Sequence, residues 1–204
     1  KNNQLTNLDV SGLTNLQNLD CTYNQLPSLN VSGLTNLQYL DCYYNQLLSL
    51  DVSGLTNLQN LFCYDNQLTS LNVLGVLNLQ ILICDNNQLT NLDVSGLMNL
   101  YYLSCSINQL TSLNIKNNNS NWDLYGLNFS SNPNLQYICA DEEDVALVQS
   151  KINTYGYSST CNVNSYCSFT PGGTFYEISG NTKFDSNSNG CDVSDINYPN
   201  LNFS

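Results

Sequence analysis

The chain has 204 residues, 42% of them hydrophobic, enough to fold around a continuous core and too many for a disordered chain. Only 10% are charged; four Lys, with no Arg and no His, face 16 acidic residues for a net charge of -12, which disfavours binding to a nucleic-acid backbone or an anionic lipid surface. No run approaches the roughly 20 apolar residues that cross a bilayer, and no basic stretch leading into an apolar segment opens the chain, so a mature segment without membrane insertion is expected.

From the N-terminus to Ile115 the sequence repeats with a period of 21. Leu5, Leu26, Leu47, Leu68, Leu89 and Leu110 align, as do Leu8, Leu29, Leu50, Leu71, Leu92 and Leu113, and Asn24, Asn45, Asn66, Asn87 and Asn108. Such a period is the signature of a solenoid, in which each repeat buries its apolar side only against its neighbours. Within a repeat, "LQNLDCTYNQL" fits the leucine-rich-repeat pattern L-x-x-L-x-L-x-x-N-x-L with Cys in the third apolar slot, and "LPSLNV" is a second, shorter unit. Both alternate with period 2. They predict a β-rich solenoid with two short strands per coil, little helix, and parallel strands stacked about 4.8 Å apart between coils.

Cys21, Cys42, Cys63, Cys84 and Cys105 keep the same interval. In-register parallel neighbours hold their Cβ atoms near the strand spacing, wider than the ~3.8 Å mean of a disulfide. These five are read as reduced, buried thiols that pack as small hydrophobes. The Asn column is read as structural, each amide bonding backbone groups that the bend leaves unpaired. A further column alternates Asp9, Asn30, Asp51, Asn72, Asp93, Asn114. The alternation spaces the carboxylates by ~9.6 Å, about one Debye length.

Residues that point out of the Cys strand alternate with Leu19 and Cys21 and have no core to serve. Here the sequence places Tyr39, Asp41, Tyr43, Tyr44, Phe62, Tyr64, Ile83, Asp85 and Tyr102, the candidate ligand-binding residues, with Tyr23 beside them. Stacking of these rings along the sheet is the structural alternative. The opposite strand face, with Asn7, Ser28, Ser49, Ser70 and Asn91, is small and polar and reads as solvated scaffold. No catalysis is expected: His, Arg and a Gly-rich phosphate loop between strand and helix are absent, and Asp20 and Asp41, on an open sheet, are expected to stay solvated and ionised.

A 21-residue leucine-rich repeat with Cys in its consensus strand resembles the cysteine-ladder internalins of Gram-positive bacteria, and more closely the secreted repeat proteins of Bacteroidota, over residues 5 to 115. The resemblance implies a secreted or cell-surface recognition or adhesion module for a protein or glycan. The alternative is a spacer that projects a following domain and has no ligand of its own. The repeat decays at Lys116, returns in "NPNLQYICA", and is followed by Asp141, Glu142, Glu143 and Asp144 ahead of "VALVQSKI", which predicts a short helix with acids at its N-terminus. This stretch resembles the C-terminal cap of that family, which implies a Cys139–Cys161 disulfide and leaves Cys167 with Cys191. Four cysteines allow three pairings in all.

The expected organisation is a solenoid over 1–115, an irregular coil and cap over 116–161, and a linker with a truncated β-region over 162–204. In the last, "DSNSNGCD" resembles the D-x-[DN]-x-[DN]-G calcium loop. Asp185, Asn187, Asn189, the Cys191 carbonyl, and Asp192 or Asp195 would supply oxygens to Ca²⁺, although Ile196 stands where the loop's Glu belongs. A plain Asn/Ser/Gly turn is the alternative, and no other cofactor is expected.

Overall fold

The computed structural model describes residues 1–119, 122 and 126–167, and the backbone of residues 183–184 and 196–197. The chain divides into two units, Lys1–Pro171 and Gly172–Ser204. The first is a parallel β-solenoid of leucine-rich-repeat type with about seven turns and little helix.

One parallel sheet runs, in spatial order, through β1 (Asn18–Asp20), β2 (Tyr39–Asp41), β4 (Asn60–Phe62), β6 (Ile81–Ile83), β8 (Tyr102–Ser104) and β10 (Leu127–Asn128). Its register follows the repeat, with Leu19 opposite Leu40, Leu40 opposite Leu61, Leu61 opposite Leu82 and Leu82 opposite Leu103. A ladder cysteine comes one residue after each of the first five strands and extends the pairing: the Cys21, Cys42, Cys63 and Cys84 amides donate to the next coil at 2.8–2.9 Å. The second side of each coil forms β3 (Ser49–Asp51) with β5 (Ser70–Asn72), and then a four-stranded sheet of β7 (Asn91–Asp93), β9 (Ser112–Asn114), β11 (Tyr137–Cys139) and β12 (Asn162–Asn164). β12 pairs in parallel with β11, so residues 162–164 continue the solenoid.

Leucines and cysteines fill the space between the two sides. Leu26, Leu47, Leu61 and Leu82 are fully buried, as are Cys42, Cys63, Cys84 and Cys105. Burial depends on flanking coils: Leu34 and Leu55, with a described coil on each side, are 1% exposed, and Leu13, in the same column of the first described coil, is 50% exposed. Burial of a coil is thus a property of the stack. All five ladder cysteines are free thiols. Burial raises their pKa values, that of Cys21 to about 12 with the charges of Asp20 and Asp41 adding to it.

The bends are held by asparagine. The Asn45 Oδ1 accepts from the Leu26 amide at 3.1 Å, while its Nδ2 donates to the Cys21 carbonyl of the preceding coil and the Cys42 carbonyl of its own, both at 3.0 Å. Asn66, Asn87 and Asn108 repeat this set, and Asn132 repeats it in the irregular coil. Buried backbone groups that a tight bend cannot pair within itself are satisfied by one side chain that both donates and accepts. A second Asn column lies elsewhere in the coil: Asn36, Asn57, Asn78 and Asn99 each donate to a carbonyl 22 residues earlier at 2.8–2.9 Å. The alternating Asp/Asn column caps turns. Asp9, Asn30, Asp51, Asn72, Asp93 and Asn114 each accept from the amide two residues on at 2.9–3.2 Å. Hydrogen bonds from Ser53, with a smaller contribution from Asn72, hold the Asp51 carboxyl below its ordinary range.

The cap departs from the 21-residue register without leaving the sheets. Leu103 pairs with Leu127, an offset of 24. The predicted helix is α1, Val145–Thr154, preceded by a 3₁₀ turn at Glu142–Asp144. Its Val148 and Ile152 are fully buried, and Phe129 meets the Tyr155 ring edge-on at 5.1 Å. Asp141 makes no helix cap. Its Oδ2 instead accepts from the Asn117 and Asn118 amides at 2.9 and 2.8 Å.

The disulfide is Cys139–Cys167, with Cα atoms 5.1 Å apart, and not Cys139–Cys161. The register explains the correction. Asn164, not Cys161, lies opposite Cys139 in the parallel pair, and three residues of strand displace Cys161 by about 10 Å along it. Cys161 is a buried free thiol in the core, its pKa pushed up to about 12 by burial. With Cys167 so engaged, the expected Cys167–Cys191 pair falls as well; Cys191 lies outside the described residues. In the second unit, β13 (Lys183–Phe184) pairs antiparallel with β14 (Ile196–Asn197).

Two measurements check this architecture. Thiol-specific alkylation of the native protein at pH 8 should leave Cys21, Cys42, Cys63, Cys84, Cys105 and Cys161 unmodified, and all six should react after denaturation. Asn87→Ala leaves the Leu68 amide and two Cys carbonyls without their partner, so urea denaturation should show a loss of about 2–4 kcal/mol.

Candidate functional site

The exit of each ladder strand turns through a left-handed residue: Tyr23, Tyr44, Asp65, Asn86 and Ile107 all have φ between 50° and 54°. Asn tolerates that conformation best; for other side chains it costs ~1–2 kcal/mol. Tyr at two of the five positions is therefore placed against local preference. It leaves Tyr23 and Tyr44 at 43% and 46% exposure, directed out of the coil.

The rings form two interlocked stacks. Tyr43 lies on Tyr64 with centroids 4.3 Å apart and planes at 11°, and Tyr23 lies on Tyr44 at 4.6 Å and 12°. Between the stacks the contacts are edge-to-face, Tyr23 to Tyr43 at 5.2 Å and Tyr43 to Tyr44 at 5.6 Å. Tyr39 and Phe62 add a tilted pair at 5.3 Å. In-register parallel strands stand one ring width apart, so equivalent aromatics stack in offset fashion.

Of the nine predicted residues, Tyr39, Asp41, Tyr43, Tyr44, Phe62 and Tyr64 come together across β2, β4 and their exits. Ile83, Asp85 and Tyr102 stand further along the sheet; Tyr102 shares the Tyr39 column three strands away, about 14 Å. Asp85 is a clamp between coils: its Oδ1 accepts from the Ser104 hydroxyl at 2.6 Å, the Ser106 amide at 2.9 Å and the Ser106 hydroxyl. Tyr23, at the strand exit, belongs to the assembled cluster.

The carboxylates of this face differ. Asp20 is paired with Lys1 at 2.8 Å and accepts from the Thr22 hydroxyl at 2.9 Å. Asp65 accepts from the Asn86 amide. Asp41, expected to be solvated, is only 6% exposed, with Phe62 opposite it in the next strand. Its Oδ2 accepts from the Tyr39 hydroxyl at 3.3 Å, while its Oδ1 is buried with no hydrogen-bond partner. Burial, and then the charge of Asp20, push its pKa up to about 6, against weaker opposing contributions from the Tyr43 amide, the Tyr39 hydroxyl and Lys1.

The opposite face holds a feature that the small-polar pattern concealed. A cleft of about 340 Å³ is floored by Asn91, Asp93, Ser112 and Asn114 and bounded by Gln136, Tyr137 and the Cys139–Cys167 disulfide. The signal was present in one column, where Tyr137 follows Asn91 and Ser112. The calcium-like set, Asp185, Asn187, Asn189, Cys191, Asp192 and Asp195, lies outside the described residues. Among the described residues no group of three or more His, Cys, Asp or Glu could hold a metal ion, and no helix is long and apolar enough to cross a membrane.

The fold and ladder define the class: a leucine-rich-repeat solenoid with 21-residue repeats and a cysteine ladder. The family model for leucine-rich repeats in two copies matches residues 35–75. Among solved structures the chain is similar to a leucine-rich-repeat protein of Leptospira interrogans, at 26% identity over 79% of this chain and 40% of that one, with a TM-score of 0.55. It is also similar to the functional domain of InlJ from Listeria monocytogenes, which includes a cysteine ladder, at 26% identity over 79% of this chain and 42% of that one, with a TM-score of 0.40. YopM from Yersinia enterocolitica matches at 27% identity over 68% of this chain and 30% of that one, with a TM-score of 0.39. The chain thus spans less than half the length of each. No curated protein sequence matches it.

The Asp41 pKa sets a pH dependence. A carboxyl raised in the folded state from 3.8 to about 6 lends its full relative stability below 3.8 and loses it as pH rises through about 6. Asp41→Asn should therefore stabilise the protein by about 1–2 kcal/mol at pH 7.5, and the gain should vanish near pH 4, read by urea denaturation at both pH values.

Proposed function

We propose that the protein is a non-enzymatic recognition module of a secreted or cell-surface protein, which binds a macromolecular partner through the aromatic face of its ladder sheet. The observation behind this reading is the Tyr23, Tyr43, Tyr44 and Tyr64 cluster: contiguous rings, of which Tyr23 and Tyr44 are more than 40% exposed and held at left-handed backbone positions that favour other residues. Tyr supplies large, rigid contact area with a polar tip, which is why it concentrates at binding surfaces. The Cys139–Cys167 disulfide accords with an oxidising compartment, and the likeness to the Leptospira leucine-rich-repeat protein accords with a bacterial setting.

A second reading has its own observation. The stacks join neighbouring coils, so the same rings also support the sheet, as a spacer would need. Ca²⁺ binding by the calcium-like set between Asp185 and Asp195 is part of the proposal, with a plain turn as the alternative.

The readings separate on one double variant. Tyr43→Ala with Tyr64→Ala removes one stack, worth ~0.5–1.5 kcal/mol beyond its buried area. On a recognition face it abolishes capture of extracellular proteins and glycans presented on arrays, with only a few degrees' loss of Tm. Unchanged capture, or no capture by the parent together with a large drop in Tm, favours the spacer.

A further inference from the structure

Asp41 does not serve the fold. Its column in the ladder sheet reads Asp20, Asp41, Phe62, Ile83, Ser104, so neither charge nor hydrogen bonding is needed at that place. The neighbouring carboxylates are occupied: Asp20 by Lys1 and Thr22, Asp65 by Asn86, Asp85 by Ser104 and Ser106. Asp41 alone on this face keeps a buried oxygen without a donor. A face whose other carboxylates are all satisfied thus tolerates one destabilising group, and departures of that kind concentrate at functional positions.

We propose that Asp41 and the Tyr43–Tyr64 stack form a seat for a cationic side chain, a Lys or Arg within a basic segment of a protein partner. The inference rests on the reading of this face as a recognition surface and names the chemistry it selects. Ring faces carry negative potential and attract ammonium or guanidinium groups, most strongly where water is excluded. A carboxylate close to them in a low-dielectric setting is weakly screened and reinforces that potential. Asp41 is close enough that its charge contributes to the raised hydroxyl pKa values of both Tyr39 and Tyr64. The chain has no Arg, and among the described residues Lys1 is paired with Asp20, Lys116 donates to the Ser165 carbonyl and Lys151 is buried over the Tyr155 ring, so the cation proposed for this seat is a partner's. A net charge of -12 steers such a partner in. A neutral saccharide would use the rings and leave the orphan oxygen uncompensated.

The groups that face Asp41 are Asp20 from β1, Tyr39 on its own strand, Phe62 from β4, the Tyr43 amide, and Lys1 across Asp20. Of these side chains, Asp41 is the one whose pKa, at about 6, lies between pH 5 and 7.5. The seat is therefore negative at pH 7.5 and largely neutral at pH 5.

The test is fluorescence anisotropy of a labelled hexa-arginine peptide with the whole chain, beside a labelled neutral glucan hexasaccharide. Asp93→Asn, an isosteric charge removal on the other sheet, is the control for diffuse charge. At pH 7.5 Asp41→Asn should weaken peptide binding roughly tenfold and Asp93→Asn less than about twofold. Tyr43→Ala should weaken it comparably to Asp41→Asn, and at pH 5 the parent should converge on Asp41→Asn. Equal effects of Asp41→Asn and Asp93→Asn, or an Asp41→Asn effect that persists at pH 5, overturn the proposal. Hexasaccharide binding that needs Tyr43, with no peptide binding, overturns the cationic seat and leaves the face a recognition surface. Peptide binding indifferent to Tyr43→Ala overturns both.

Discussion

The solenoid depends on one accounting problem, the backbone polar groups of a bend repeated every 21 residues. A coil this short must turn sharply, and the turn buries amides and carbonyls that no strand can pair. Asn is the side chain that closes the account, because its amide accepts through Oδ1 and donates through Nδ2 within one planar group. Asn45 joins Leu26 and Cys21 of the coil before to Cys42 of its own coil. Asp could accept but not donate, and Ala could do neither. The Cys column adjoins the same bend: a neutral thiol fills the apolar slot beside these amides without asking for a strong hydrogen bond, and Phe129 takes that place in the irregular coil.

Once the inward positions are assigned, the outward ones are free, and their chemistry varies from coil to coil. The column of Asp20, Asp41, Phe62, Ile83 and Ser104 shows how little the fold demands there. The Tyr cluster uses that freedom, and the spacing that makes the sheet also makes the stacks. On the proposed reading the rings that support the sheet also receive the partner: a partner that lands on a preassembled stack orders few side chains, which lowers the entropic cost of binding.

Charge follows a parallel logic. With few cations in the chain, carboxylates are tolerated where they have hydrogen-bond donors: Asp9, Asp51 and Asp93 cap turns, Asp85 clamps two serines, and Asp141 holds the Asn117–Asn118 amides. Asp41 is the departure on the ladder face. Asp144 in the cap is a second carboxyl with a buried orphan oxygen, its pKa pushed to about 6 by burial and by the charges of Asp141 and Glu143.

Periodicity made most of this legible in the amino acids. In a solenoid, sequence position modulo 21 is spatial position, so the strands, the reduced Cys column, the Asn column and the outward aromatic set could all be read directly, and α1 was marked by its acids and its apolar run. Where the period fails, so does the reading. The cap pairs at an offset of 24, the parallel register of β11 and β12 sets Asn164 rather than Cys161 opposite Cys139, and the disulfide goes to Cys167. The cleft under Tyr137 depends on how tall and short columns adjoin. The burial of Asp41 was decided by its neighbours in the folded chain, since a column pattern states which residues face outward but not what then covers them. Local chemistry and repeat spacing were properties of the sequence itself; disulfide partner, cleft and buried carboxylate arose only when distant residues met, because each is a relation between side chains that no single period encodes.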